Sequence, residues 1–322
     1  MDSSIGVGLI GFGMAGRVFH APVIASVPGL KLVKIVTGKS EAASLARERY
    51  PEAEVVPDYK KLLVDDSIQL IVVATPNTSH VELASAALEA GKHVVVEKPF
   101  TITSAEADAL IDLAGRSGKI LTVHQNRRWD SDFLTVKKVI EKNLLGNIVE
   151  YEAHFDRFRN YIKENAWREE TGPGSGMVYD LGSHLIDQAL SLFGLPESVS
   201  ADIRTQRRGG TVDDAFEIIL HYGGLKVTLK SGMLVKEPLP RFIILGDKGS
   251  FVKYGTDVQE ESLKKGLSPS DDLNWGSEPE SIWGVLNTEM EGLNFRGKLE
   301  SIKGDYREFY RNTADAVSGI ES

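Results

Sequence analysis

Apolar residues along the first 125 positions follow two alternating rhythms. Ile5–Ile10, Leu30–Val36, Leu70–Ala74, His93–Val96 and Ile120–Val123 are short apolar runs suited to strands buried on both faces. Between them, Ala15–Ser26, Glu41–Tyr50, Ser79–Ala90 and Ser104–Ser117 have the length and pattern of helices, with Gly91 as one stop and a serine in capping position on the last. Such alternation predicts a parallel sheet covered by helices on both sides.

After Gln125 the pattern changes. Helices are predicted over Asp132–Asn143 and from Asp180 through Phe193, with Gly194 ending the second. The rest reads as strands rich in β-branched and aromatic residues: Ile148–Phe155, Val199–Arg204, Asp214–Tyr222, Lys226–Met233, Arg241–Leu245 and Ser250–Tyr254. Short turns such as Gly223-Gly224 and Asp247-Lys248-Gly249 imply a mostly antiparallel sheet. The expected fold class is α/β: a doubly wound parallel sheet over residues 1–125, then an α+β domain with a large, mostly antiparallel sheet over 126–322. Leu267–Glu280, rich in Ser, Pro, Asp and Gly, reads as an exposed loop.

Composition narrows the function. The chain has 322 residues, enough for two ordinary domains, and no cysteine, which excludes disulfides, thiolate zinc sites and a cysteine nucleophile. With no sign of an oxidising compartment, the cytoplasm is the default. A formal charge of −9 argues against a nucleic-acid partner. No apolar run reaches the roughly 20 residues of a membrane span. The run Ile5–Phe12 lacks the basic flank and cleavage site of a signal peptide. The 7 histidines show no ligand spacing, so no metal is expected.

Gly11-Phe12-Gly13-Met14-Ala15-Gly16 is a G-x-G-x-x-G directly after a strand and opening a helix. Gly11 permits the tight turn, Gly13 the approach of a pyrophosphate, and Gly16 close helix–strand packing, with the helix N-terminus facing the negative charge. Alone the motif could be a glycine-rich turn; as the first turn of an alternating α/β half it reads as the Rossmann nucleotide site. The second strand ends Val36-Thr37-Gly38-Lys39-Ser40, with no carboxylate for two ribose hydroxyls. Thr37, Lys39 and Ser40 suit a 2′-phosphate, so NADP is favoured over NAD, unless Glu41 reaches the ribose instead of starting the next helix.

Thr75, Pro76, Asn77 and His80 follow the third apolar strand, and Glu97-Lys98-Pro99 and Gln125 follow the later ones, along the edge where open α/β sheets bind ligands. A strand-end turn and helix cap would account for the first group equally well. In the second half, Asp180 and His184 lie four apart with Asp187 three further on, preceded by the flexible Gly172-Pro173-Gly174-Ser175-Gly176. An isolated D-x-x-x-H is more often a solvated helix face with one satisfied histidine.

Gly11–Gly16, Ala74–His80, Glu97-Lys98-Pro99 and Tyr179-Asp180-Leu181-Gly182-Ser183-His184, in that order, resemble the glucose–fructose oxidoreductase and inositol dehydrogenase (Gfo/Idh/MocA) family over nearly the whole chain. His154–Phe158, Asn126–Trp129 and Lys253-Tyr254-Gly255 are similar to the branch holding NADP-dependent scyllo-inositol dehydrogenases. The resemblance implies Lys98 and His184 as catalytic residues supported by Asp180, and Trp167-Arg168 as a cofactor- or substrate-contacting pair. Members of the family continue past the helix at Asp305–Ser318 with one that returns to the cofactor domain, whereas this chain stops at Ser322.

The expected reaction is hydride exchange between a secondary alcohol of a polyol or sugar and nicotinamide. His184 would move the hydroxyl proton, Lys98 would stabilise the alkoxide, and Asp180 would hold the imidazole tautomer or a neighbouring hydroxyl. Arg127, Arg128, His154, Asp156 and Arg168 are candidate polyol contacts. Rival readings are a non-catalytic NADP-sensing regulator and a cofactor-retaining sugar oxidoreductase or redox glycosidase. An exposed sheet face also implies a homodimer or homotetramer.

Overall fold

The computed structural model describes residues 4–164 and 166–320. It divides into two compact units: residues 1–126 with 259–275 and 305–322, and residues 127–258 with 276–304. A single boundary near residue 125 therefore misses two segments from the chain's end that pack with the first unit.

The first unit is a six-stranded parallel sheet of β1 (Ile5–Ile10), β2 (Leu30–Val36), β3 (Glu54–Val56), β4 (Leu70–Val73), β5 (His93–Val96) and β6 (Leu121–Val123). Its order is β3-β2-β1-β4-β5-β6, which reverses direction of growth between β1 and β4. The apolar runs have the expected cause: Ile71, Val73, Val94 and Val96 are fully buried among Leu83, Ala84, Ala87 and Leu88. Burying each large aliphatic chain contributes about 1.5–3 kcal/mol. After a wide π-helical turn over Ala15–His20, the helices are α1 (Ala21–Ala25), α2 (Ser40–Arg49), α3 (Lys60–Leu63), α4 (His80–Glu89) and α5 (Ser104–Ser117). The cap of α5 is Thr103, not Ser104: it accepts from the Glu106 amide while Glu106 accepts from the Thr103 amide, a reciprocal capping box.

The second unit is an eight-stranded sheet with α6 (Ser131–Glu141) and α7 (Ser183–Phe193) against it. Its strands are β7 (Ile148–His154), β8 (Ser198–Arg204), β9 (Ala215–Tyr222), β10 (Leu225–Gly232), β11 (Phe242–Gly246), β12 (Gly249–Lys253), β13 (Gly284–Met290) and β14 (Leu293–Leu299), ordered β14-β13-β12-β11-β7-β10-β9-β8. All pairs are antiparallel except β7 with β10. The buried face packs Phe133, Val136, Leu185 and Ala189 of the helices against Tyr151, Phe242, Ile244 and Phe251. The other face carries ion pairs such as Lys226–Glu150 at 2.7 Å and Lys230–Glu217 at 3.1 Å.

The returning segments supply α8 (Gln259–Lys264) and α9 (Arg307–Val317) to the first unit. The stretch Leu267–Glu280 is only partly an exposed loop: Leu273 is 97% exposed, but Trp275 is buried and donates from its indole to Gln259. In the second unit Glu278 is buried against Lys253 at 2.8 Å. No described helix is long and apolar enough to cross a membrane.

Candidate active site

At the sheet's switch point the glycine loop has distinct reasons for each glycine. Gly11 has a φ of 101°, and a Cβ there would lie 2.6 Å from the Ala74 carbonyl oxygen. A Cβ on Gly16 would fall 2.0 Å from the Gly11 oxygen, so turn and helix interlock. Gly13 has nothing within 4 Å of such a position: its lack of a side chain answers no contact inside the protein. This cradle, at a helix start, fits a dinucleotide pyrophosphate. Phe12 is buried edge-on to Tyr50 at 6.2 Å, while Met14 is exposed. At the end of β2, Thr37 donates its amide to Val56, and Lys39 and Ser40 are exposed. Glu41 lies in the first turn of α2, where the helix dipole favours a carboxylate.

Several expected ligand-side residues serve the protein itself. Asn77 is buried, and the Ser79 hydroxyl donates to Thr75 at 2.8 Å. His80 is buried with Nε2 3.1 Å from the Thr75 carbonyl and Nδ1 3.0 Å from that of Pro99, tying the ends of β4 and β5 together. Lys98 and Gln125 lie half-buried just beyond β5 and β6.

Glu97 is engaged in a cluster that the sequence gives no means of foreseeing. Its Oε1 lies 2.9 Å from both His20 Nε2 and His124 Nδ1, and its Oε2 accepts the Lys98 amide at 2.9 Å. His20 Nδ1 is 2.5 Å from the Tyr310 hydroxyl. Burial pushes Glu97 upward, but hydrogen bonds from His124 and His20 outweigh it and hold the carboxyl well below the usual range. Burial, then the neighbouring His124, lowers His20 to about 4. The three residues are of metal-ligating type, their ligand atoms within 4.8 Å of one another, although nothing in their sequence spacing announces it.

In the second unit the helix opens with a π-helical turn, Val178–Gly182, which places Asp180 half-buried and His184 buried in the first turn of α7. Arg168 Nε lies 3.1 Å from Asp180 Oδ1, its guanidinium 4.5 Å from the Trp167 ring centroid. The substrate-side arginines are committed elsewhere in the unit: Arg127 to Asp130 at 3.2 Å and over Phe155, Arg128 to Asp187 at 2.6 Å. His154 stands between Glu152 at 2.5 Å and Asp156 at 2.8 Å. Burial lowers its affinity for a proton, but Asp156 and Glu152 more than offset this and raise it.

A parallel sheet with an interlocked glycine turn at its switch point defines a dinucleotide-binding protein, here joined to a large second sheet. The model of the oxidoreductase family with NAD-binding Rossmann fold matches residues 5–125, and that of the GFO/IDH/MocA C-terminal domain residues 133–252. The chain belongs to the Gfo/Idh/MocA family of oxidoreductases. It is 46% identical over 321 residues to the uncharacterized oxidoreductase YdgJ of Escherichia coli, covering 99% of this chain and 90% of that one. To the scyllo-inositol 2-dehydrogenase (NADP(+)) IolW of Bacillus subtilis it is 39% identical, covering 98% and 86%. The solved structure of the Bacillus subtilis oxidoreductase yvaA aligns with a TM-score of 0.95 at 38% identity, over 100% of this chain and 91% of that one.

Proposed function

We propose that the protein is an NADP-dependent dehydrogenase acting on a secondary alcohol of a polyol or sugar of the inositol type. The observation that carries this reading is the joint presence of Lys98, directly after β5 on the ligand-binding edge of the sheet, with Asp180 in the π-helical turn and His184 in the first turn of α7. A relative acting on scyllo-inositol with NADP⁺ supports the substrate class. The nucleotide would be held by Gly11–Gly16, Thr75 and Pro76, with Thr37, Lys39 and Ser40 on the 2′-phosphate, and would accept the hydride.

His184 takes the hydroxyl proton, and the Lys98 ammonium stabilises the charge developing on that oxygen. Asp180 holds the imidazole tautomer, or accepts from a neighbouring hydroxyl, and Arg168 and Trp167 fix its surroundings. Arg127, Arg128 and His154, already paired to carboxylates, shape the substrate side from behind. The protein works as a homodimer or homotetramer through the outer face of the eight-stranded sheet, the face that carries the Lys226–Glu150 and Lys230–Glu217 pairs; a monomer at micromolar concentration by light scattering would refute that part.

The deciding assay is reduced-nicotinamide absorbance with scyllo-inositol, other polyols and aldoses, using NADP⁺ and NAD⁺. His184→Ala and Lys98→Ala should each lower turnover about 10²–10⁴-fold with nucleotide affinity little changed. Thr37→Asp with Lys39→Ala should shift kcat/KM toward NAD⁺ by on the order of 1–3 kcal/mol. Wild-type preference for NAD⁺ would point to Glu41 as the ribose reader.

A further inference from the structure

We propose that Tyr310, His20 and His124 act through Glu97 as positioning residues for Lys98, so that the lysine's backbone is held by a hydrogen-bonded chain ending on helix α9. This rests on the reading of Lys98 as catalytic.

The chain runs through four side chains far apart in sequence. The Tyr310 hydroxyl meets His20 Nδ1 at 2.5 Å, His20 Nε2 meets Glu97 Oε1 at 2.9 Å, and Glu97 Oε2 accepts the Lys98 N–H at 2.9 Å. His124 Nδ1 adds a second donor to Oε1 at 2.9 Å, its ring 4.2 Å from that of His20 and edge-on to Phe309 at 4.8 Å. Tyr310, His20 and His124 are 0–1% exposed and Glu97 7%.

The protons can be assigned. A phenol this deeply buried keeps its proton and donates it. His20 Nδ1 is therefore the acceptor, and its single proton lies on Nε2, toward Glu97. Glu97 thus receives two imidazole N–H donors on one oxygen and a peptide N–H on the other. Taking a carboxylate out of water costs several kcal/mol unless it is so satisfied. Apolar packing would hold α9 in place without that cost, but it would supply no acceptor for the Lys98 amide.

A metal ion is the competing occupant of three such groups. Ligand atoms on zinc sit 2.0–2.2 Å from the ion, which spreads them beyond the 2.9 Å separations found here. Those separations are hydrogen-bond lengths.

The test uses the full chain without substrate. Amide exchange at Lys98 is followed at residue resolution in wild type, Tyr310→Phe and Glu97→Gln, with Tyr222→Phe as control, since that phenol serves the Gly194 carbonyl in the other unit. Tyr310→Phe keeps the buried ring and should fold. It should speed Lys98 exchange about tenfold, while the Glu97 amide, bonded to Val73 in the sheet, stays protected and the control is silent. With scyllo-inositol and NADP⁺, kcat should fall about 10- to 100-fold at unchanged nucleotide Kd. The same change made in Lys98→Ala should cost nothing further. Unchanged Lys98 exchange in both Tyr310→Phe and Glu97→Gln would overturn the proposal, as would one equivalent of metal co-purifying with wild type and lost in Glu97→Gln. Faster exchange combined with normal turnover in Lys98→Ala would instead overturn the catalytic reading of Lys98.

Discussion

In the first unit two imidazoles share one carboxylate; in the second, two carboxylates share one imidazole. The ingredients are the same and all four contacts are of hydrogen-bond length, yet the proton inventories are opposite. Complete burial, and after it the neighbouring His124, outweigh the Glu97 carboxylate at His20, so His20 is held neutral. His154 has a carboxylate on each ring nitrogen, so both must be donors and the imidazolium is favoured. Stoichiometry and burial together decide charge state.

The largest effect should come from removing one carboxylate's charge in each cluster. Glu97→Gln leaves two buried imidazoles without their anion and should cost about 3–5 kcal/mol. Glu152→Gln, whose side chain is 23% exposed, leaves Asp156 in place and should cost about 1 kcal/mol or less. Urea unfolding of both variants measures the difference, and equal losses would break the comparison.

The two clusters were unequally legible in the sequence. Glu152 and His154 alternate along β7 and Asp156 follows two residues past its end, so the three share one face by period alone. His20 ends the π-helical turn, Glu97 and His124 follow β5 and β6, and Tyr310 lies on α9, so only tertiary folding brings them together. The same division runs through the fold. The alternating sheet and the glycine loop were readable because the central strands β1, β4 and β5 are buried on both faces and the turn chemistry is local. The exposed hairpin β13–β14 was not, since β14 offers almost no buried positions to set a period. Nor was the return of α8 and α9 to the first unit, which depends on contacts such as the Gln259 side chain accepting from the Tyr306 amide at 2.8 Å. At the site, the lysine and histidine could be named from motif order, but the commitment of Arg128 to Asp187 could not, because the two are 59 positions apart.

Acid should expose the first cluster next. His20 binds a proton near 6.5 when unfolded and near 4 when folded, so unfolded chains hold more protons between those values. Its contribution is present above pH 6.5 and lost as pH falls toward 4, about 3 kcal/mol over the window. Glu97, depressed below the carboxylate range, adds a loss in the same direction at lower pH. Ring signals of His20 in a carbon-13 titration should remain those of the neutral form at pH 5, and an imidazolium at pH 6 would contradict the assignment.

The smallest effect carries the opposite sign. Folding raises the proton affinity of His154, so the folded chain holds more protons than the unfolded one in the interval above 6.5. The stabilisation it brings is complete below that value and disappears as pH rises through the raised folded value. Solvent reaches the cluster through Glu152 and Asp156, which screens the charges and keeps the contribution to about 1 kcal/mol or less. The measurement is a difference: urea midpoints of wild type and His154→Gln at pH 6 and pH 9. The gap should be wider at pH 6, because the glutamine replaces the ring's hydrogen bonds without its charge, and Asp156→Asn should narrow it by removing one of the two anions. A gap that widens toward pH 9 would mean that His154 is held neutral like His20, and that two flanking carboxylates do not outweigh burial on this strand.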